Sequence, residues 1–168
     1  VIDDGLELAH EDLASNILTG YSWDYINLDT DPTPSSSSKS HGTSVAGIIA
    51  AEGWNNKGGR GVAPNAQLVG YNLLKAYTEA NSANAMYNTL AVNGDVDIFN
   101  MSFGIGLNSS FPTPISTTYE NGLLNGVTNL RSGKGAIYVN ASGNDWYEAT
   151  GSVKYCGPNY GASAYSDL

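Results

Sequence analysis

Apolar runs rich in β-branched residues alternate along this chain with stretches whose apolar positions recur at helical spacing. "VID" at the start reads as a strand remnant, and "YSWDYINL" (21–28) alternates as a half-buried strand does. "DTDPTPSSSSKS", with two prolines and a serine run, is predicted to be a loop. A helix is predicted from residue 41 to about residue 52. "AQLVGYNLL" (66–74) is apolar almost throughout, as a strand covered on both faces would be, and "EANSANAMYNTLAVNG" has helical spacing that stops at a glycine. "VDIFNMSFG" is a second buried strand, "NSSFPTPIS" a loop, "TTYENGLLNGVTNLRSGKG" a helix and "AIYVNASGN" a third buried strand.

That order, β-α-β-α-β with apolar strands, predicts an α/β fold: a mostly parallel central sheet flanked by helices in three layers. Active sites in such sheets gather at the carboxyl ends of the strands. The unusual polar residues of this chain fall at those ends or at a helix start. No internal repeat and no second domain is visible in the 168 residues.

Composition narrows the function. Hydrophobic residues make up 41% and charged residues 14%, with 20 glycines, which is a globular composition. Seven basic residues against 16 acidic ones leave a formal charge of −9. Such a surface repels phosphate backbones and anionic lipid, so nucleic acid and membrane are poor candidate partners. Hard cations or a basic peptide suit it better. The single cysteine, Cys156, has no partner for an internal disulfide and is read as a small, partly buried thiol. No apolar stretch approaches the roughly 20 residues that span a bilayer. Because the first residues already read as the inside of a strand, the chain is expected to be cut at its start.

The chemistry lies in four short stretches. Asp3 and Asp4 close the first strand before Gly5; His41 opens the helix "HGTSVAGIIAA"; "NMSFG" (100–104) and "NASGN" (140–144) end two further strands. Taken singly, each has an ordinary explanation: an Asp-Gly turn, a capping or core histidine, a strand opening into a loop. Taken together, they bring a carboxylate, an imidazole and the Asn144 carboxamide to neighbouring strand ends. Acyl transfer needs that set, with the amide donor placed for a developing oxyanion.

These stretches carry a family resemblance. "VIDDGLELAHEDL", "HGTSVAGIIAAEGWNNKGGRGVAPNAQLVGYNLL", "DIFNMSFG" and "IYVNASGN" resemble the blocks of subtilisin-like serine proteases. Asp3-Asp4-Gly5 and "SWDYINLDTDPTP" are more similar to the kexin and furin branch than to the bacterial subtilisins. The resemblance implies that Asp3 is the triad aspartate, His41 the general base and then general acid, and Asn144 the oxyanion donor. It also implies that Ser102, Phe103 and Gly104 pair with substrate backbone, and that Ala141, Ser142 and Gly143 wall the pocket before the cleaved bond. Asp4 matches a branch position that favours a basic substrate residue. Asp12, with Asn55 or Asn56 and nearby carbonyls, matches a structural calcium site. His10 beside it reads as a surface residue, and Ser44 as a packing position of the histidine helix.

Three departures qualify the likeness. The loop "FGIGLNSS" lacks the acids that would bind a basic side chain before the cleaved bond, so dibasic specificity is only half supported. The neutral run "SSSSKS" stands where the branch carries an acid before its histidine. Most seriously, no Gly-Thr-Ser-x-Ala motif follows Asn144, and Ser142 is not that nucleophile. The chain is therefore expected to be cut at its end as well, to be inactive alone, and to expose apolar surface that its missing part covers. A rival expectation is a subtilase-like scaffold or binding domain that has lost its nucleophile; the intact Asp3, His41 and Asn144 weigh against it. A nucleotide-binding domain fails because Pro64 breaks the glycine pattern, and a zinc peptidase because "AHED" lacks a second histidine at helical spacing. Family likeness further implies a peptide or protein substrate, a monomer when complete, and a secreted or otherwise extracytoplasmic location.

Overall fold

Five short strands form one parallel sheet in the order β2-β3-β1-β4-β5. They are β1 (Ile2–Asp3), β2 (Trp23–Asp24), β3 (Tyr71–Asn72), β4 (Ile98–Met101) and β5 (Ile137–Asn140). The computed structural model describes residues 1–36, 40–87, 96–104, 116–141, 148–150 and 153–155. In the last stretch β6 (Glu148–Thr150) and β7 (Val153–Tyr155) pair antiparallel. Three helices complete the described secondary structure beside two short 3-10 turns: α1 (His41–Ala50), α2 (Glu79–Tyr87) and α3 (Thr117–Gly133). This is the expected α/β architecture.

Alternation of side chains along the strands sorts the core into two layers. Ile2, Tyr71, Phe99 and Met101 point to one face and pack with Ala85 and Met86 of α2 and Leu123 and Leu130 of α3. On the other side, Ala46 and Ala50 of α1 pack with Leu6, Leu13 and Leu68. Gly42, Ala46 and Ala50 recur every four residues, so the buried stripe of α1 is made of the smallest side chains it could have. α3 starts where the Ser116 side chain accepts a hydrogen bond from Tyr119 N at 3.2 Å and stops where Arg131 and Ser132 turn left-handed.

Several expectations need correcting. "YSWDYINL" yields only two strand residues, because the Asp24 carboxylate accepts from Ile26 N at 2.6 Å and Asn27 N at 3.0 Å and folds the chain into a turn. "AQLVGYNLL" enters the sheet only at Tyr71–Asn72; Leu68 instead exchanges backbone hydrogen bonds with Asn16 and Leu18. β4 and β5 are covered on one face, not two: Ile98, Ile137 and Val139 are 56%, 52% and 47% exposed. Ser44 is exposed and bonds back to Ser40 O at 2.9 Å; its neighbour Thr43 is the packed residue. His10 is half-buried, its Nδ1 accepting from Asp12 N at 3.2 Å.

Candidate active site

Strand register decides what meets at the rim of the sheet. Ile2 pairs with Met101, and Met101 with Asn140, which sets three residues of adjacent strands in one row. One residue further along each chain come Asp3, Ser102 and Ala141. The strand order reverses direction around β1, since β2 and β3 lie on one side of it and β4 and β5 on the other. Ligand crevices of doubly wound sheets form at such switch points.

Asp3 is fully buried at the end of β1. His41, at the first position of α1, turns its ring nitrogen Nδ1 toward both oxygens of that carboxylate, at 2.9 and 3.0 Å. The imidazole itself stays 58% exposed. With Nδ1 held by Asp3, Nε2 is the nitrogen on the far edge of the ring. The Asp4 amide also donates to Asp3 Oδ1, at 2.8 Å, which further fixes the carboxylate. Close approach of α1 to β1 depends on Gly42: a Cβ there would sit 2.2 Å from Gly5 O and 2.7 Å from Asp3 Cβ.

These contacts shape the protonation of the pair. The hydrogen bond and charge of Asp3 hold the His41 imidazole above its ordinary pKa, outweighing a small desolvation. Burial pushes the Asp3 carboxyl up as well, opposed by its hydrogen bonds from His41 and the Asp4 amide. Both shifts mean that the folded pair holds protons more firmly than the separate groups would.

Around this pair the other expected residues fall as follows. Ser102 and Phe103 are half-buried and Gly104 exposed in the segment that leaves β4, and Asn100 Nδ2 donates to Ser102 Oγ at 2.9 Å. Ala141 N donates to Met101 O at 3.0 Å, which ties the end of β5 to the end of β4. Ser142, Gly143 and Asn144 lie outside the described residues, as does Cys156. Asp4, read from the sequence as a substrate contact, places its carboxylate on the first turn of α1: Gly42 N donates to Oδ1 at 2.8 Å and His41 N to Oδ2 at 3.3 Å. That contact was missed, because no spacing rule links residues 37 and 38 positions apart.

Asp12 belongs to a second, separate cluster. Its buried carboxylate accepts from Asn55 Nδ2 at 2.7 Å and from Gly59 N at 3.3 Å. Asn56 is exposed, with a left-handed φ of 61°. The loop passes so close that a Cβ on Gly58 would sit 2.3 Å from Asp12 Oδ2. Lys57 pairs with Glu11 at 3.9 Å, and Asp12 forms no ion pair among the described residues. No group of three or more His, Cys, Asp or Glu side chains suited to a metal occurs there. The donors at hand are one carboxylate, an amide that a half-turn would present through its oxygen, and loop carbonyls; these fit a hard, oxygen-preferring cation.

A profile of the subtilase family matches residues 1–163. Kexin of Saccharomyces cerevisiae is 40% identical over 146 residues, which cover 86% of this chain and 17% of kexin. The Aeromonas extracellular serine protease of Aeromonas sobria is 37% identical over 152 residues, 86% of this chain and 23% of that protein. The crystal structure of the Aeromonas sobria serine protease in complex with its chaperone superposes with a TM-score of 0.75 at 35% identity, covering 90% of this chain and 25% of that one. The chain thus spans about a fifth of the length of the curated relatives it matches. By family match, by identity and by fold, this chain belongs to the subtilase family.

Proposed function

We propose that residues 1–168 are the aspartate- and histidine-bearing part of a serine endopeptidase catalytic domain. The observation that carries this reading is the Asp3 carboxylate at 2.9 and 3.0 Å from His41 Nδ1, at the carboxyl end of the central strand. In that role His41 Nε2 takes the proton of an attacking serine hydroxyl and later returns it to the leaving amine. Asp3 keeps the ring in the tautomer that makes Nε2 the base, and stabilises the imidazolium while it lasts. Asn144 serves as the oxyanion donor, Ser102 to Gly104 pair with the substrate backbone by strand addition, and Ala141 to Gly143 wall the adjoining pocket.

The attacking serine is not in this sequence, so the 168-residue polypeptide alone has no peptidase activity and the longer protein supplies the nucleophile. The substrate is a peptide or protein, and the complete enzyme acts as a monomer outside the cytoplasm; the name of the extracellular Aeromonas relative supports the location. Among the described residues no helix is long and apolar enough to cross a membrane. Expressed with its downstream sequence, the protein is expected to cleave a general protease substrate, and Asp3→Asn to lower kcat by about 10⁴-fold. Retention of more than a tenth of the activity by Asp3→Asn would refute the assignment. Turnover by residues 1–168 alone would refute the missing nucleophile.

Asp12, Asn55 and the carbonyls around Gly58 are proposed to hold a structural Ca²⁺, which would supply the positive charge this buried carboxylate lacks. Chelator is then expected to lower the melting temperature of the wild type and leave Asp12→Ala unmoved. Equal melting with and without chelator in the wild type would remove the site.

A further inference from the structure

The first N–H groups of any α-helix lack partners within the helix, and a Ser, Thr, Asp or Asn just before it usually supplies one. Ser40 holds that position in α1, yet its side chain makes no capping bond. Asp4, from the end of β1, supplies two acceptors instead: Oδ1 for Gly42 N at 2.8 Å and Oδ2 for His41 N at 3.3 Å. Two adjacent residues thus grip one histidine. Asp3 holds its ring, and Asp4 holds its backbone.

We infer that Asp4 is a positioning residue for His41: by capping α1 from another element it sets where the imidazole stands relative to Asp3. This rests on reading His41 as the base. A serine cap would have fixed the helix without a charge, so a carboxylate here does something a hydroxyl cannot: it lies beside the imidazole and favours the imidazolium. Asp3 and Asp4 are the charged groups acting on His41 among the described residues, and α1 itself carries none. Lys39 lies outside the described residues. The proposed contact with a basic substrate residue stays compatible, since a carboxylate has about four lone-pair directions and α1 uses two. A cation arriving there would partly neutralise Asp4 and lower the pKa of His41, linking substrate charge to the strength of the base.

Two variants separate cap from charge in the longer protein that carries this sequence. Asp4→Asn keeps an acceptor oxygen and loses the charge; Asp4→Ala loses both. His41 is followed by NMR titration, its signal assigned by its loss in His41→Ala. The His41 midpoint is expected to fall in both variants. Amide exchange at Gly42 is expected to rise about fivefold to tenfold in Asp4→Ala and to change less than about twofold in Asp4→Asn, whose one amide oxygen can replace Oδ1. A His41 midpoint equal to wild type in both variants, with unchanged exchange in Asp4→Ala, overturns the inference. Peptide hydrolysis by Asp3→Asn is measured in parallel: if it survives, the assignment of the base fails while the titration still reports on Asp4.

Discussion

At the scale of single residues, the decisive contrast lies between a fully buried carboxylate and an imidazole that is more than half exposed. Because Asp3 is buried and tied by the Asp4 amide, it is the fixed member of the pair, and His41 is the one free to exchange protons with solvent. A general base must be neutral to act, and Asp3 holds His41 above the ordinary value of about 6.5. The acid limb of kcat/KM in the longer protein is therefore expected above pH ~6.5, and to move down in Asp4→Asn. Stability follows the same shift. Between the unfolded and the folded pKa of His41, the folded protein keeps a proton that the unfolded chain has released. The contribution is fully present below the unfolded value and is lost as pH rises through the folded one. Thermal melts from about pH 6 upward should show a declining midpoint that flattens in His41→Ala. Equal slopes in both proteins would contradict the Asp3–His41 coupling.

At the scale of elements, α1 decides whether that pair exists. Its stripe of Gly42, Ala46 and Ala50 lets the helix axis approach β1, and a methyl group on Gly42 would collide with backbone at Gly5 O. Gly42→Ala is expected to cost about 1–3 kcal/mol of stability through overpacking. A shift of the base by about 1 Å would cost some 10²-fold in activity. Gly47 is the control on the same helix: a Cβ there meets nothing within 4 Å, so Gly47→Ala is expected to stabilise by up to about 1 kcal/mol. Chemical denaturation of both variants checks the pair of signs, and stabilisation by Gly42→Ala would sink the close-packing account. This helix was legible in the sequence as a run of small and apolar residues after a loop, from residue 41 to about residue 52. β3 was not. Every residue from Leu68 to Leu73 except Gly70 and Asn72 is large and apolar or aromatic, so periodicity could not say which of them join the sheet and which pair with Asn16 and Leu18. The grip of Asp4 on α1 was equally hidden, since it is a contact between side chain and backbone across two elements. Asp3 and His41 are ordinary residues taken singly; their conjunction at a strand end and a helix start singled them out, and the family motif gave them their roles.

At the scale of the molecule, the two faces of the sheet are unequal. α2 and α3 bury Phe99 and Met101, while Ile98, Ile137 and Val139, which alternate with the buried positions, stand open. Residues 1–168 expressed alone are expected to bind a hydrophobic dye, and the triple change of Ile98, Ile137 and Val139 to Thr to remove most of that signal. A soluble monomer with a sharp cooperative melt and no dye binding would count against an open face. The parallel sheet has a further consequence, for folding speed. Ile2 pairs with Tyr71 on one side and Met101 on the other, separations of about 70 and 100 residues, so the middle of the sheet closes only through long loops. Closing such loops consumes chain entropy before any contact rewards it, which puts this domain among slow folders. Both pairings hold β1, the strand that carries Asp3, so the seat of the buried carboxylate is complete only once they have closed.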